Sequence, residues 1–174
     1  MIITPHILVG ATIGSKISSL PLIFITAFLA HFVLDMIPHW EYSIARIKKD
    51  KKISKKSYGE SLKIAIDSLF AIIIIFLLTR NSFNQFKIMF GGFSGIVPDI
   101  LLMASWLKPS KPLIILKRFH YWIHCLFKKE RFNLIPKQGE NIDPDRIKTP
   151  KFSYFPWGII FQVILSLMSI YLIF

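Results

Sequence analysis

The chain has 174 residues, of which 53% are hydrophobic, and its 22 Lys and Arg residues outnumber 10 Asp and Glu residues to give a formal net charge of +12. This length fits one domain and excludes a multidomain assembly. A basic charge can indicate nucleic-acid binding, but 16 Phe residues and long apolar runs are not typical of a soluble domain of that kind. We therefore expect a membrane protein that contacts lipids and no nucleic acid. The only cysteine is Cys125, which excludes an intrachain disulfide and a cysteine-based zinc site.

Six apolar segments follow one another along the chain. Two shorter ones, about Pro5–Ile17 and Leu113–Phe127, are expected to be half-inserted, interfacial or packed inside a bundle. The other four are close to the roughly 20 residues that cross a bilayer, and they predict spanning helices at about Leu20–Ile37, Leu62–Thr79, Phe86–Leu107 and Phe155–Phe174. The sequence thus predicts an all-α fold, an integral membrane helical bundle that forms a single domain over residues 1–174.

The cations are distributed unevenly between the connecting segments. Most of the 22 lie in residues 46–63, 108–118 and 128–151. Because Lys and Arg in short loops are retained on the cytoplasmic side of a membrane, these segments are expected to be cytoplasmic, with polar loops at about residues 41–61 and 128–152. The sequence therefore predicts a multi-pass protein of the inner, cytoplasmic cell membrane.

Two prolines and their neighbours indicate helix boundaries. Thr4 followed by Pro5 is a typical helix start, with Thr4 as the N-cap. Pro98 is expected to break the fourth spanning segment, so that Asp99 lies in the first turn of a new helical segment.

Glycines recur four residues apart in two of the apolar segments. Gly10 and Gly14 form one such pair, and Gly91 and Gly95 form the other. Small residues at this spacing allow neighbouring helix backbones to approach closely. We expect tight helix packing at these positions, with a hinge at the second pair as the alternative.

Three carboxylates lie within the apolar segments, namely Asp35, Asp67 and Asp99. An aspartate inside a membrane costs about 2.5 to 3.5 kcal/mol on insertion scales, and no Lys or Arg in the same apolar run is an obvious partner. All five histidines also lie in apolar or aromatic helical segments or at their ends. Imidazole and carboxylate together are ligands that suit Zn, Mn or Fe. The sequence therefore predicts a divalent metal, most simply Zn, which supplies the missing positive charge.

The spacing of these residues supports a shared site. His31 and Asp35 are four residues apart, as are His120 and His124, so each pair projects from one helix face and can reach one metal ion or two adjacent ions. The rise of 1.5 Å per residue places the polar groups at similar depths near the cytoplasmic face. We therefore expect eight side chains to meet in one metal site, which is composed of His6, His31, Asp35, His39, Asp67, Asp99, His120 and His124.

Structural roles are the alternative for each residue taken singly. An intramembrane His or Asp is often a hydrogen-bonded packing feature. His39 is next to Trp40 and could be an interfacial anchor. His120 and His124 could lie on the wet side of an aromatic interfacial helix.

The chain contains the four short motifs TPHILVGATIG, AHFVLDMIPHW, GIVPDI and FHYWIHC. Together they resemble the bacterial membrane-bound metal-dependent hydrolases, which are distantly similar to zinc-dependent phospholipase C. The resemblance covers most of the chain, although the His-x-x-x-Asp element precedes the Pro-Asp element here and the second His after Pro-Asp is absent. It implies metal ligands at His6, Asp99, His120 with His124, and His31 with Asp35.

The resemblance and the polar residues together predict a membrane-bound hydrolase with one or two metal ions. The expected substrate is amphiphilic and lipid-like, with a phosphoester or similar bond, and Asp67 or Asp99 is the expected catalytic base. A metal-ion or proton transport protein is the main alternative. A structural membrane protein with a buried polar network is the second, and haem ligation is a third that leaves the carboxylates unexplained.

Overall fold

The computed structural model describes residues 2–37, 39–40, 58–124 and 156–173. These residues form six α-helices and no strand, which confirms the all-α prediction for this part of the chain. The helices are α1 (Ile3–Lys16), α2 (Leu20–Met36), α3 (Tyr58–Thr79), α4 (Gln85–Leu107), α5 (Lys111–His124) and α6 (Trp157–Ile173). The predicted polar loop at 128–152 lies outside the described residues, as does the loop at 41–61 apart from its last four residues, which begin α3.

Two of the four predicted spanning segments have the length and composition to cross a membrane. They are α3, with 22 residues, and α4, with 23. The apolar helices α2 and α6 have 17 residues each, which is the lower limit for a span. The structure therefore contains two candidate membrane spans and two shorter apolar helices among the described residues.

The short helix α1 lies at the centre of the bundle, where it packs against α2, α3, α4 and α6. Its side chains Ile7, Leu8 and Ala11 are buried. They form a core with Ile75 of α3 and Ile88 of α4, among other apolar residues. Of the three placements that its length allowed, α1 therefore takes the one inside the bundle.

Glycines set the distance between α1 and α4. A Cβ atom added to Gly10 would overlap the carbonyl oxygen of Gly91, and one added to Gly14 would overlap the carbonyl oxygen of Lys87. A Cβ on Gly95 would lie 2.5 Å from the carbonyl oxygen of His6. These contacts are the tight packing that the glycine spacing predicts. They also bring the His6 turn of α1 directly against α4.

Pro98 lies inside α4 and does not end it, so the predicted break before Asp99 is wrong. The helix continues without interruption from Gln85 to Leu107, and Pro98 is buried within it. Helices in apolar surroundings tolerate proline where neighbouring helices hold the backbone in place. Both α1 and α2 pack on α4 in this bundle, and tertiary packing therefore overrides the local tendency of proline to break the helix.

Candidate metal centre

Seven of the eight predicted site residues come together in one group, with the carboxylate of Asp35 at its centre. We call this group the His/Asp cluster. Its side chains come from α1, α2, α4 and α5 and from the residues just after α2, and they are His6, His31, Asp35, His39, Asp99, His120 and His124.

The Nε2 atoms of the five histidines surround the two oxygens of Asp35. Three lie near Oδ2, at 3.1 Å for His31, 3.1 Å for His120 and 3.2 Å for His124. The other two lie near Oδ1, at 3.3 Å for His6 and 3.9 Å for His39. Asp35 is buried, with its side chain only 1% exposed. One buried carboxylate is therefore the common neighbour of every histidine in the chain.

A hydrogen bond to α4 sets the tautomer of His31. Its Nδ1 lies 2.8 Å from the carbonyl oxygen of Gly95, and because a carbonyl oxygen only accepts, Nδ1 carries the hydrogen. In a neutral imidazole, Nε2 then presents a lone pair. That lone pair faces Asp35 at 3.1 Å and Asp99 at 3.6 Å. A cation between these atoms, either a metal ion or a second proton on the ring, would remove the repulsion.

His6 has the environment of a buried neutral imidazole. Its ring stacks on that of His31, with 4.0 Å between the ring centroids. Burial, assisted by the charge of His31, lowers the pKa of His6 to about 4, so the ring is neutral near pH 7. Neither ring nitrogen has a hydrogen-bond partner among the described residues. An unsatisfied buried polar group costs about 1–3 kcal/mol.

Two helical residues on α5 complete the cluster. The Nε2 atoms of His120 and His124 lie 3.1 Å apart, as expected for side chains one turn apart on the same helix face. Burial lowers the pKa of His120, which favours its neutral form. Both rings direct their Nε2 atoms at Oδ2 of Asp35, and imidazole with carboxylate is a ligand set that suits divalent metals such as zinc.

The donor atoms form two groups that could each hold a metal ion. In each group, one donor atom per residue lies within 4.8 Å of every other. The first group is His31, Asp35, Asp99 and His120, and the second is Asp35, His39 and His124. The prediction of a metal-binding His and Asp site is therefore confirmed to the extent that this cluster could hold an ion.

Within the described part of the chain, the side chains of the cluster differ in exposure. The side chains of His6 and His31 are fully buried, whereas that of Asp99 is 29% exposed and that of His124 is 17% exposed. Among the described residues, Asp99 and His124 are therefore the more accessible members of the cluster.

Asp67 is the predicted site residue that the structure does not bring into the cluster. Its carboxylate accepts hydrogen bonds from the backbone N–H groups of Ile3, at 2.6 Å, and Thr4, at 3.2 Å, and from the Thr4 hydroxyl. Thr4 is also not the N-cap: α1 begins at Ile3, and the preceding Ile2 makes no side-chain cap. A carboxylate from α3 thus satisfies the first N–H groups of α1.

Two contributors to the site were not predicted. The carbonyl of Gly95 orients His31. On α6, the side-chain amide of Gln162 donates to the carbonyl oxygen of Trp40 at 2.8 Å, and Gly158 lies against the backbone of His39 and Trp40. An isolated Gln in the apolar α6 was a feature of the sequence that could have indicated this contact, whereas a backbone carbonyl leaves no trace in the sequence.

Comparisons of the chain with protein families, with curated proteins and with solved structures gave no match.

Proposed function

We propose that this chain is a membrane-bound, metal-dependent hydrolase whose active centre is the His/Asp cluster. The observation that carries the proposal is the orientation of His31. Its Nδ1 hydrogen bonds to Gly95, and its Nε2 therefore faces the carboxylates of Asp35 and Asp99. Metal-bound histidines commonly donate their other ring N–H to a carbonyl or carboxylate, which fixes the tautomer. His31 has this arrangement.

The ion is proposed to bind at His31, Asp35, Asp99 and His120. Two imidazoles and two carboxylates suit zinc, and they are also compatible with manganese or iron. Two carboxylates would balance the charge of one divalent cation while the histidines remain neutral. A divalent cation at such a site acts as a Lewis acid and lowers the pKa of a coordinated water.

Asp99 is proposed as both a ligand and the catalytic carboxylate. Its Oδ1 lies 3.6 Å from Nε2 of His31 and 3.7 Å from Nε2 of His120, and its other oxygen, Oδ2, would be the one that accepts a proton. A general base must lie within hydrogen-bonding reach of the group from which it takes a proton. The side chain of Asp99 is 29% exposed, whereas that of Asp35 is 1% exposed. Asp99 is therefore the carboxylate of the cluster that an incoming water or substrate can contact. The earlier alternative, Asp67, is already committed to the backbone of α1.

The exposed surface supports a location in a membrane. Along α3, large apolar side chains face outward from the described part of the bundle, and Phe70 and Leu77 are 58% and 57% exposed. Soluble monomers seldom expose apolar patches of more than a few hundred Å², whereas lipid accommodates such a surface without cost. We propose that the protein is a multi-pass protein of the inner membrane.

The position of α5 supports a lipid-like substrate. This helix carries Lys111, Lys117 and Arg118 together with the exposed aromatic side chains of Phe119 and Trp122. Basic helices with aromatic residues bind at the headgroup level and attract anionic lipids. The same helix presents His120 and His124 to the cluster. We propose that the substrate is an amphiphile with a phosphoester or similar bond, approached from the cytoplasmic side.

Elemental analysis of the detergent-purified protein tests the metal site. We expect wild-type protein to retain Zn or Mn, and the double variant His31→Ala/Asp35→Ala to lose it. The matched control is Ser94→Ala/Ser105→Ala, because among the described residues these two buried hydroxyls bond to carbonyls of their own helix. A wild type that folds stably and binds no added metal would exclude the proposed site.

A second assay separates hydrolysis from transport. Generic phosphodiester and phospholipid substrates are supplied in mixed micelles, and metal-ion flux is measured in liposomes that contain the same protein. We expect hydrolysis that requires His31 and Asp35. Flux without hydrolysis would instead identify a metal-ion transport protein.

A further inference from the structure

The His/Asp cluster has more ligands than one metal ion uses. Zinc in proteins is almost always bound by about four ligands, but the cluster contains five imidazoles and two carboxylates. The proposed ion at His31, Asp35, Asp99 and His120 leaves His6, His39 and His124 outside its ligand set. Of these three, His39 and His124 form a separate group with Asp35, in which the three donor atoms again lie within 4.8 Å of one another.

His39 has the same ring arrangement as His31. Its Nδ1 donates to the carbonyl oxygen of Ile37, and its Nε2 therefore points toward Oδ1 of Asp35, at 3.9 Å. The ring of His39 lies 5.4 Å from that of His124. A backbone carbonyl thus fixes the tautomer of one histidine in each group, as is typical for metal ligands.

The backbone that follows α2 is held by α6. Gln162 donates to the carbonyl oxygen of Trp40 at 2.8 Å, and a Cβ added to Gly158 would lie 2.9 Å from the backbone nitrogen of Trp40. These contacts fix the segment that carries His39, although this segment lies beyond the end of α2. A histidine that served only as an interfacial anchor would not need its ring to face a buried carboxylate.

Asp35 is shared by the two groups. Its Oδ2 is near the Nε2 atoms of His31 and His120 of the first group and of His124 of the second. Its Oδ1 is near the Nε2 of His39, which also belongs to the second group. A carboxylate shared by two donor groups is suited to bridge two cations.

We infer that the centre holds a second divalent cation, bound by His39 and His124 and bridged to the first ion by Asp35. This inference rests on the metal site proposed above. Two carboxylates balance only half of the charge of two divalent cations, so a bound anion would complete the site. A phosphate group of a substrate supplies such an anion, and two-metal centres are common in enzymes that cleave phosphoesters.

Metal stoichiometry tests the second ion. The full chain in detergent micelles is stripped with a chelator and dialysed to equilibrium against buffered Zn²⁺, and bound zinc per chain is measured by mass spectrometry. We expect two equivalents for the wild type and one for His39→Asn/His124→Asn. The control is Trp122→Phe, an exposed position on α5, which should retain two equivalents. A second readout is electron paramagnetic resonance of the Mn²⁺-loaded protein, in which two neighbouring ions give a coupled spectrum.

The outcomes distinguish the two proposals. One equivalent and an uncoupled Mn²⁺ spectrum in the wild type would overturn the second ion and leave the first site in place. No bound zinc would overturn both. The double variant reports on its own folding, because retention of the first ion requires α2, α4 and α5 to be assembled. If the double variant still binds two equivalents of zinc, the assignment of His39 and His124 is wrong. The assignment is also wrong if both the double variant and the single variant His39→Asn lose both equivalents.

Discussion

Thr4 and Asp67 are 63 residues apart in the chain, yet the backbone N–H and the hydroxyl of Thr4 both donate to the Asp67 carboxylate. This contact joins the first turn of α1 to the middle of α3. His6 lies two residues after Thr4 and contributes Nε2 to the His/Asp cluster, 3.3 Å from Asp35. Asp67 therefore acts on the site through the position of α1.

Replacing Asp67 should lower stability and leave the chemistry of the cluster in place. We expect Asp67→Leu to lower the free energy of unfolding by about 0.5–2 kcal/mol, the range for loss of a helix N-cap. Asp67→Asn should cost less, since its side-chain oxygen still accepts a hydrogen bond. The measurement is thermal unfolding in detergent, combined with bound metal per folded chain.

Ser68→Ala is the matched control for both variants. Ser68 is the next residue of α3, and in the described part of the chain its hydroxyl bonds to the carbonyl of Ile64 in the same helix. If Asp67→Asn abolished hydrolysis with unchanged stability and metal content, Asp67 would be the catalytic base that the sequence first suggested.

The position of the Asp67 side chain outside the His/Asp cluster could not be predicted from the sequence. Counting residues along a helix gives depth, because each residue rises 1.5 Å, and Asp67 has about the same depth as the other acids. Depth does not give the direction in which a side chain leaves the helix axis. Asp35 lies four residues from His31 on the same helix, and this spacing does define a face. Asp67 has no such neighbour, and its direction depends on how α3 packs against α1.

The positions of the helices could be predicted from the sequence more easily than the way in which the helices pack against one another. Apolar runs located the segments from α1 to α6 to within a few residues, since a continuous apolar run is a strong local pattern. Pro98 shows the opposite case. Its local preference predicts a break, but α1 and α2 hold α4 on the side of the cluster, and no local pattern contains that information.

Gly95 should be essential for the assembly of the cluster. A Cβ there would lie 2.5 Å from the carbonyl oxygen of His6, so α1 would have to move away from α4. We expect Gly95→Ala to destabilise the protein by about 1–3 kcal/mol, the usual cost of overpacking, and to weaken metal binding. The control is Gly59→Ala in the first turn of α3, where a Cβ meets no atom within 4 Å. Equal effects of the two substitutions would show that the α1–α4 contact is not tight.

The variant Gln162→Leu should weaken binding of the second ion more than binding of the first. Gln162→Leu keeps most of the side-chain volume but removes the donor to Trp40, so the segment that carries His39 becomes less well held. We expect zinc bound at His39 and His124 to weaken several-fold, with the first equivalent little changed, in a calorimetric titration. Ser166→Ala, one turn further along α6, is the control because its hydroxyl bonds to the carbonyl of Gln162 within the helix. Equal weakening of both equivalents would contradict a specific role for Gln162.

The variant Asp99→Asn should lower the rate of hydrolysis while the cluster still assembles. In Asp99→Asn the side chain keeps its size and loses its basicity, and loss of a general base typically lowers the rate by about 10²–10⁴-fold. Hydrolysis of a phosphodiester in mixed micelles is measured per bound metal, so that weaker metal binding is not mistaken for lost chemistry. Asp67→Asn, which also converts a carboxylate to an amide, should retain most of the rate. Asp99→Asn activity close to that of the wild type, per bound metal, would transfer the role of base to another group. Asp99 would then remain only a ligand in the cluster.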